Sequence, residues 1–236
     1  MSDVPNADRR HRSKQDVTDY VGYMVGHIVG CVVGCRDATD GRPTGQQMTM
    51  SDGRAWWFDS GSLSIDFAYT GAMNGSGSET LLAASDLAAW LIGRFPEVAD
   101  VTSERDLIDA RALRGSLARA AIARSRGAEI LSDDVDVINL FAATPDIAPS
   151  LVGGSRQAGR SRAKASQALS VMAREAIELF AANPTRRIRE CAADDCELVF
   201  YDGSRSNNRR WCSMQRCGNR AKVRAHRERS SSESAG

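Results

Sequence analysis

The chain has 236 residues, 42% of them hydrophobic, and a formal net charge of +1. This size suits a medium domain with a small one beside it, and the apolar share is that of an ordinary globular protein, so a real core can be buried. The six cysteines form three close pairs; this pattern and the chain length exclude a small secreted disulfide scaffold.

Residues 1–50 differ in composition from the rest. A four-residue repeat from Val21 to Arg36 places glycine at every fourth position. Three interpretations compete: a membrane helix with small residues at its contacts, a secretory signal, and a leader translated upstream of a misassigned start, the true start being Met48 or Met50. The apolar run is about 16 residues, shorter than the roughly 20 that a bilayer core requires. We therefore expect a disordered or misassigned leader, and the pair Cys31 and Cys35 receives no role.

Residues 54–184 predict a mainly helical domain that begins with a short β-hairpin. Apolar and polar residues alternate from Leu63 to Thr70, which favours a strand, and a turn precedes it. The hairpin would pair Ala55–Phe58 with Leu63–Ala68. Helical spacing and capping residues predict four helices. One is capped by Ser85 and ends near Pro96, and one runs from Ser103, which with Asp106 resembles a capping box, to about Arg126. A short helix starts at Ser132, and the last runs from about Ser161 to Asn183.

Three residues of this domain are candidates for a ligand site: Trp57, Asp66 and Thr70. Asp66 is a carboxylate within a largely apolar segment, where it could contact a ligand; the alternative is that it is exposed or caps a backbone amide. Trp57 could line a pocket or lie at the rim of the core. The sequence has no histidine between His27 and His226 and no nucleophile motif, so we do not expect an enzyme.

The strongest motif is formed by Cys191, Cys196, Cys212 and Cys217. Four residues separate the members of each pair, and fifteen lie between the pairs. Two close pairs can close a tetrahedron of thiolates around one structural zinc ion. Disulfides or free thiols are the alternatives, and disulfides are disfavoured because no credible export signal precedes them.

The residues around these cysteines predict the layout of a treble clef. A strand from Leu198 to Tyr201 and a turn at Asp202-Gly203 lie between the pairs. A helix follows the second pair, with Ser213 placed to cap it. Such a module is too small to fold by hydrophobic burial alone, so metal binding would supply its folding free energy.

This helix and the loop before it are strongly basic. Residues 203–229 contain nine basic side chains and one acidic one. At 100° per residue, Arg216, Arg220, Arg224 and Arg227 share one sector, while Met214, Gly218, Ala221 and Ala225 form the opposite face. Arginine matches phosphate oxygens and guanine edges, and Asn219 can read adenine. The alternative is a solvated helix that neutralises the thiolates. The candidate nucleic-acid-binding residues are Arg205, Arg209, Arg210, Arg216, Asn219, Arg220, Lys222, Arg224 and Arg227.

The segment from Trp211 to Lys222 resembles the signature of the CGNR zinc fingers, named for the residues Cys217 to Arg220. The Cys191–Cys196 spacing and the segment from Leu198 to Asp202 match as well. In that family the finger follows an ABATE domain. The stretch from Trp57 to about Leu151 is similar to that domain, although Tyr69-Thr70 stands where the family usually has Asn-Thr. The resemblance implies a stress-response regulator of transcription.

The complete expectation is an α+β chain: a leader over residues 1–50, an ABATE-like domain over 54–184, a CGNR-type finger over 186–229 and a disordered tail over 230–236. We expect a cytoplasmic protein that binds one zinc ion and DNA, with no membrane contact, and whose N-terminal domain senses an effector or forms a homodimer. The alternative is a structural zinc module that mediates protein or RNA interactions without sequence-specific DNA binding.

Overall fold

The computed structural model describes residues 42–49, 53–99, 101–149, 162–181 and 187–233. Within these ranges, two antiparallel hairpins and six helices confirm the α+β class. The strands are β1 (Gln46–Thr49), β2 (Ala55–Phe58), β3 (Ile188–Glu190) and β4 (Val199–Tyr201). The helices are α1 (Leu63–Ala68), α2 (Ala84–Ile92), α3 (Glu104–Ser125), α4 (Ser132–Ala142), α5 (Ala165–Phe180) and α6 (Asn219–Glu233), with a π-helical turn (Met214–Gly218) leading into α6.

The predicted strand over Leu63–Ala68 is wrong, because these residues form helix α1. All six of its side chains are buried, so the alternation of apolar and polar residues does not correspond to one buried face and one solvent-exposed face. The helix N-terminus is fixed from a distant part of the chain: the Glu175 carboxylate accepts the amide protons of Leu63 at 3.0 Å and Ser64 at 2.6 Å. Such tertiary capping supplies the acceptors that helix starts require.

The partner of β2 is β1, a strand that the sequence analysis assigned to the leader. Gln47 lies opposite Trp57 in this hairpin, and the Met48 side chain is buried. Residues 42–49 are therefore part of the fold, and the predicted boundary at residue 50 is wrong for them. The glycine repeat, Cys31 and Cys35 lie outside the described residues.

The helix boundaries of the body follow local capping. The Ser103 hydroxyl and the Asp106 carboxylate form the predicted capping box at the start of α3, and Gly127 follows its end with a φ of 70°. Ser85 is not a cap: α2 begins after Ala83, and the Asp86 carboxylate accepts the amide proton of Ala83 at 2.8 Å. The first-turn acid Asp86 therefore satisfies amides just before the helix, and the N-cap residue Ala83 makes no side-chain cap.

One continuous apolar core joins the helical body to the second hairpin. Helices α1, α3 and α5 pack against one another, and α4 lies against α3 and α5. The side chains of Leu198, Val199 and Phe200 belong to the same buried cluster. The hairpin that precedes the second cysteine pair is therefore anchored in the body. At the other end α6 runs to Glu233, which corrects the predicted disordered tail over residues 230–233.

Candidate metal centre and nucleic-acid interface

The four predicted cysteine ligands converge on one point. Cys191 follows β3 and Cys196 precedes β4. Cys212 precedes the π-helical turn, and Cys217 lies within it. All four are buried free thiols whose Sγ atoms lie within 4.8 Å of one another. The Sγ atom of Cys212 is 3.7 Å from that of Cys196 and 3.5 Å from that of Cys217.

These separations fit a tetrahedral zinc site. With Zn–S bonds of about 2.3 Å, the edges of a thiolate tetrahedron are about 3.8 Å long. Soft thiolate ligands in this number favour a structural Zn²⁺ ion. The four cysteines are therefore the ligand set of one structural zinc ion, and a closed set of four leaves no position for a substrate.

Polar contacts compensate the charge of the cluster, since four thiolates exceed the charge of Zn²⁺ by two. The Cys212 backbone amide donates to Cys191 Sγ at 3.4 Å, and Arg220 Nη2 lies 3.3 Å from Cys217 Sγ. Arg220 also forms a bidentate ion pair with Asp195 at 2.6 and 3.0 Å. This arginine is thus already engaged within the finger.

Two of the side chains that join the finger to the body are Tyr69 and Arg209. The buried Tyr69 hydroxyl, next to α1, accepts from the Val199 amide at 2.7 Å and donates to the Val199 carbonyl at 3.3 Å. The Arg209 guanidinium lies 4.3 Å above the Phe200 ring and donates to the Asp59 carbonyl at 2.9 Å and the Cys212 carbonyl at 2.6 Å. Arg209, predicted to bind nucleic acid, instead uses its donors to join the two regions.

The predicted arginine row lies on one side of the π-helical turn and α6. Arg216, Arg220, Arg224 and Arg227 line a shallow groove of about 470 Å³ together with Asn219. Two of these side chains have further partners: Arg224 pairs with Asp194 at 2.8 Å, and Arg216 lies 4.8 Å above the Trp56 ring.

Two acids that were not predicted from the sequence face this row. Asp194 and Asp195 lie between Cys191 and Cys196, and their position inside a zinc knuckle was the available signal. Folding the knuckle around the metal brings them beside the start of α6, where they pair with Arg224 and Arg220.

The remaining basic candidates are exposed. These are Arg205, Arg210, Lys222 and Arg227. Along α6 every side chain from Lys222 to Ser231 is exposed, including Ala225, which was expected to pack on the hairpin. Because all faces of this stretch are exposed, no described part of the chain packs on it, and the predicted small-residue face has no partner there. Ser213 precedes the π-helical turn, but its side chain makes no capping hydrogen bond.

Trp57, Asp66 and Thr70 do not converge on an open site. Trp57 is 57% exposed, whereas Asp66 and Thr70 are buried. The Asp66 carboxylate accepts the amide protons of Gly45 at 2.5 Å and Ser60 at 3.2 Å, which is the backbone-capping role weighed from the sequence. The Thr70 hydroxyl donates to the Phe67 carbonyl at 2.7 Å.

The fold and the cysteine site define a class: a helical domain joined to a zinc finger with four cysteine ligands. Residues 61–183, more than half of the chain, match the ABATE family, described as "Putative stress-induced transcription regulator", and residues 187–230 match the CGNR zinc finger. The chain belongs to the ABATE family and ends in a CGNR zinc finger, as the resemblance implied. None of the curated proteins compared with the chain matches it significantly.

Within the described ranges, no helix combines the length and the apolar content needed to cross a bilayer.

Proposed function

We propose that this protein is a cytoplasmic regulator of transcription that binds DNA through α6 and the basic loop before it. One observation carries the proposal: a basic helix is fixed at its start by the zinc ligand Cys217, and its side chains from Lys222 to Ser231 are exposed. A rigid, exposed cationic helix is the element that several classes of DNA-binding proteins insert into a groove.

The exposed basic side chains would make the phosphate contacts, since counterion release dominates the affinity of such proteins for DNA. Lys222 and Arg227 on α6 and Arg205 and Arg210 in the loop are the leading contacts. Arg220 and Arg224 can join them only by exchanging their aspartates for phosphates. Exposed ion pairs are worth about 0–1 kcal/mol, so this exchange is accessible to a polyanion.

The proposal includes no enzymatic activity. Asn219 and Arg220, at the start of α6, are the candidates for base contacts. The body would act on the finger through the shared core, as a module for sensing or for dimer formation.

Selection of bound fragments from genomic DNA by the zinc-loaded protein tests the main claim. We expect a defined sequence, and a two-fold symmetric site would indicate a dimer. Recovery of fragments without a common sequence contradicts the claim of specific binding.

The interface itself is tested by salt dependence. Arg227→Gln should reduce the slope of log K against log salt by about 0.9, the value for one lost phosphate contact on duplex DNA. Arg105→Gln is the matched control, because Arg105 is an exposed arginine of α3 whose ion pair with Asp109 lies in the body. Equal slopes for both variants and the native protein would exclude Arg227 from the interface.

The knuckle acids give a test with the opposite sign. The double change Asp194→Asn and Asp195→Asn removes two negative charges that compete with phosphate for Arg224 and Arg220, so we expect several-fold tighter DNA binding. Asp109→Asn in the body serves as the charge control. Weaker binding by the double variant would mean that the two ion pairs position α6 instead of competing with DNA.

The alternative is that the finger binds RNA or a protein partner. Competition among duplex DNA, single-stranded RNA and heparin separates these cases. Preferential displacement by RNA would favour that alternative, and displacement by all three alike would reduce the interface to a general polyanion site.

A further inference from the structure

Residues 42–49 lie in a groove of the body whose walls come from distant parts of the chain. Asp66 of α1 forms one wall, Arg94 and Glu97 after α2 form another, and β2 forms the third. Asp66, Arg94 and Glu97 fall within the region that matches the ABATE family, residues 61–183, whereas residues 42–49 lie outside it. Two walls of the groove therefore belong to the family domain, and its occupant is a segment from outside that domain.

The centre of the groove recognises a glycine by its backbone. The Gly45 amide donates to the buried Asp66 carboxylate at 2.5 Å, and the Gly45 carbonyl accepts from Arg94 Nη2 at 2.9 Å. Its φ is +90°, and a Cβ at this position would lie 2.5 Å from Trp57 Nε1. Any other residue would be strained and would collide with the indole.

A second subsite holds an arginine three residues earlier. Arg42 lies 4.6 Å above the Phe95 ring and pairs with Glu97 at 3.1 and 3.3 Å. Its Nη1 also donates to the Arg94 carbonyl at 3.3 Å. This subsite combines an aromatic face with a carboxylate, which is a typical environment for a guanidinium group.

Beyond Gly45 the segment becomes a strand. Residues Gln46–Thr49 pair antiparallel with β2, with Gln46 opposite Phe58 and Thr49 opposite Ala55. Addition of an extended peptide to a sheet edge, with pockets for selected residues, is a recurring mode of peptide recognition. The arginine subsite, the glycine site and the pairing with β2 together select a segment with an arginine, any two residues, a glycine and then an extended strand.

We propose that this groove is a binding site for extended peptides of the form Arg-x-x-Gly, and that residues 42–49 occupy it within the same chain as an internal competitor. The natural ligand is then a segment of a partner protein with this pattern. A partner peptide must displace the tethered segment, which holds a local concentration roughly in the millimolar range.

The groove also borders the zinc finger. Trp56 on β2 carries the Arg216 guanidinium at 4.8 Å, next to the start of α6. Replacement of residues 42–49 by a partner peptide can therefore change the position of α6. This consequence rests on the function proposed above, whereas peptide binding by the groove does not.

The test uses the zinc-loaded full chain and a labelled peptide that corresponds to residues 42–49, followed by fluorescence anisotropy without DNA. In the Gly45→Ala protein the internal segment binds the groove too weakly to compete. The peptide should therefore bind at least about ten times more tightly than to the native protein. The same peptide with alanine in place of its glycine should lose at least about tenfold in affinity for that variant. Zinc content and circular dichroism establish that the variant is folded.

A second form keeps Gly45 and carries a protease site in place of residues 50–52. After cleavage, the labelled peptide should exchange with the released internal segment, which covers the case in which Gly45→Ala disturbs folding. Absence of peptide binding to both forms, or equal binding of the glycine and alanine peptides, overturns the proposal. Because no DNA is present, failure of the DNA-binding proposal leaves this result unaffected.

Discussion

The helical body and the zinc finger are stabilised by different means. The body buries large apolar side chains along α1, α3 and α5. In the finger, Leu198, Val199 and Phe200 reach that same core, whereas α6 is exposed from Lys222 to Ser231. We therefore expect the β3–β4 hairpin to be stabilised mainly by the body and α6 mainly by the metal. On this expectation the boundary in stability lies within the finger, not between the two family regions.

Removal of a zinc ligand should have the largest effect on the difference in stability between α6 and the β3–β4 hairpin. Structural zinc sites supply on the order of 10 kcal/mol to the folding of small modules. We expect Cys217→Ser to lose stoichiometric zinc, to lose hydrogen-exchange protection in α6 while β3 and β4 keep theirs, and to weaken DNA binding more than about 100-fold, on the order of 3 kcal/mol.

Ser213→Ala is the control for that variant, because Ser213 lies beside the site and its hydroxyl makes no capping bond. Persistence of α6 after a strong chelator has removed the metal would refute the division between a metal-dependent helix and a core-dependent hairpin.

In the body, two buried carboxyl groups should make the free energy of unfolding depend on pH. Burial raises the pKa of Asp66 to about 6 and that of Glu175 to about 7. The native state therefore keeps protons that the unfolded state releases, so the free energy of unfolding falls as pH rises from about 4.5 to 7, by on the order of 2–3 kcal/mol per group. Glu79 and Glu97 do not oppose this, because hydrogen bonds from Arg114 and Arg42 lower their pKa values and move their effect below this window.

Denaturant unfolding of the zinc-free Cys217→Ser protein at about pH 5.5 and about pH 8 measures the effect without the protons that zinc displaces from the cysteines. Glu175→Gln removes one titrating group and should remove roughly two thirds of the pH dependence, because the pKa of Glu175, about 7, lies further above the lower pH than that of Asp66, about 6. Greater stability of this zinc-free protein at the higher pH would contradict the assignment.

The hydrogen bonds between Tyr69 and Val199 should contribute less to stability than the zinc site or the two buried carboxyl groups. Tyr69→Phe leaves the buried amide and carbonyl of Val199 without their hydroxyl partner, which costs about 1–3 kcal/mol. Thermal unfolding should show a lower Tm for this variant, with the hairpin exchanging faster. Tyr201→Phe, on the neighbouring strand, is the control and should change little; similar effects of both changes would mean that the Tyr69 hydroxyl is not the link.

The smallest expected effect is local to the body. The Ser103 hydroxyl accepts the Asp106 amide at 3.2 Å, so Ser103→Ala should cost about 1 kcal/mol. Ser85→Ala, in the first turn of α2 without a capping role, should cost less than about 0.5 kcal/mol. Denaturant midpoints with equal slopes give both values, and the reverse order would contradict the capping assignments.

The accuracy of the sequence-based predictions depended on how far apart along the chain the contacting residues lie. Short-range spacing identified the four zinc ligands and the capping box of α3. The prediction of a strand over Leu63–Ala68 was wrong, because the local cap Ser62 was not recognised and Glu175 supplies further acceptors from more than a hundred positions away. The side of α6 that carries the arginines was also predicted, but their aspartate partners were not.

By itself, the sequence determined the ligand set, the helical character of the body and the basic character of α6. These features depend on residue chemistry and on neighbours within about one helical turn or one metal loop. Only the tertiary structure decided that Arg209 joins the regions, that Asp194 and Asp195 hold two arginines, and that Asp66 and Arg94 grip Gly45. Those contacts join segments distant along the chain, and they form only when the shared core brings the segments together.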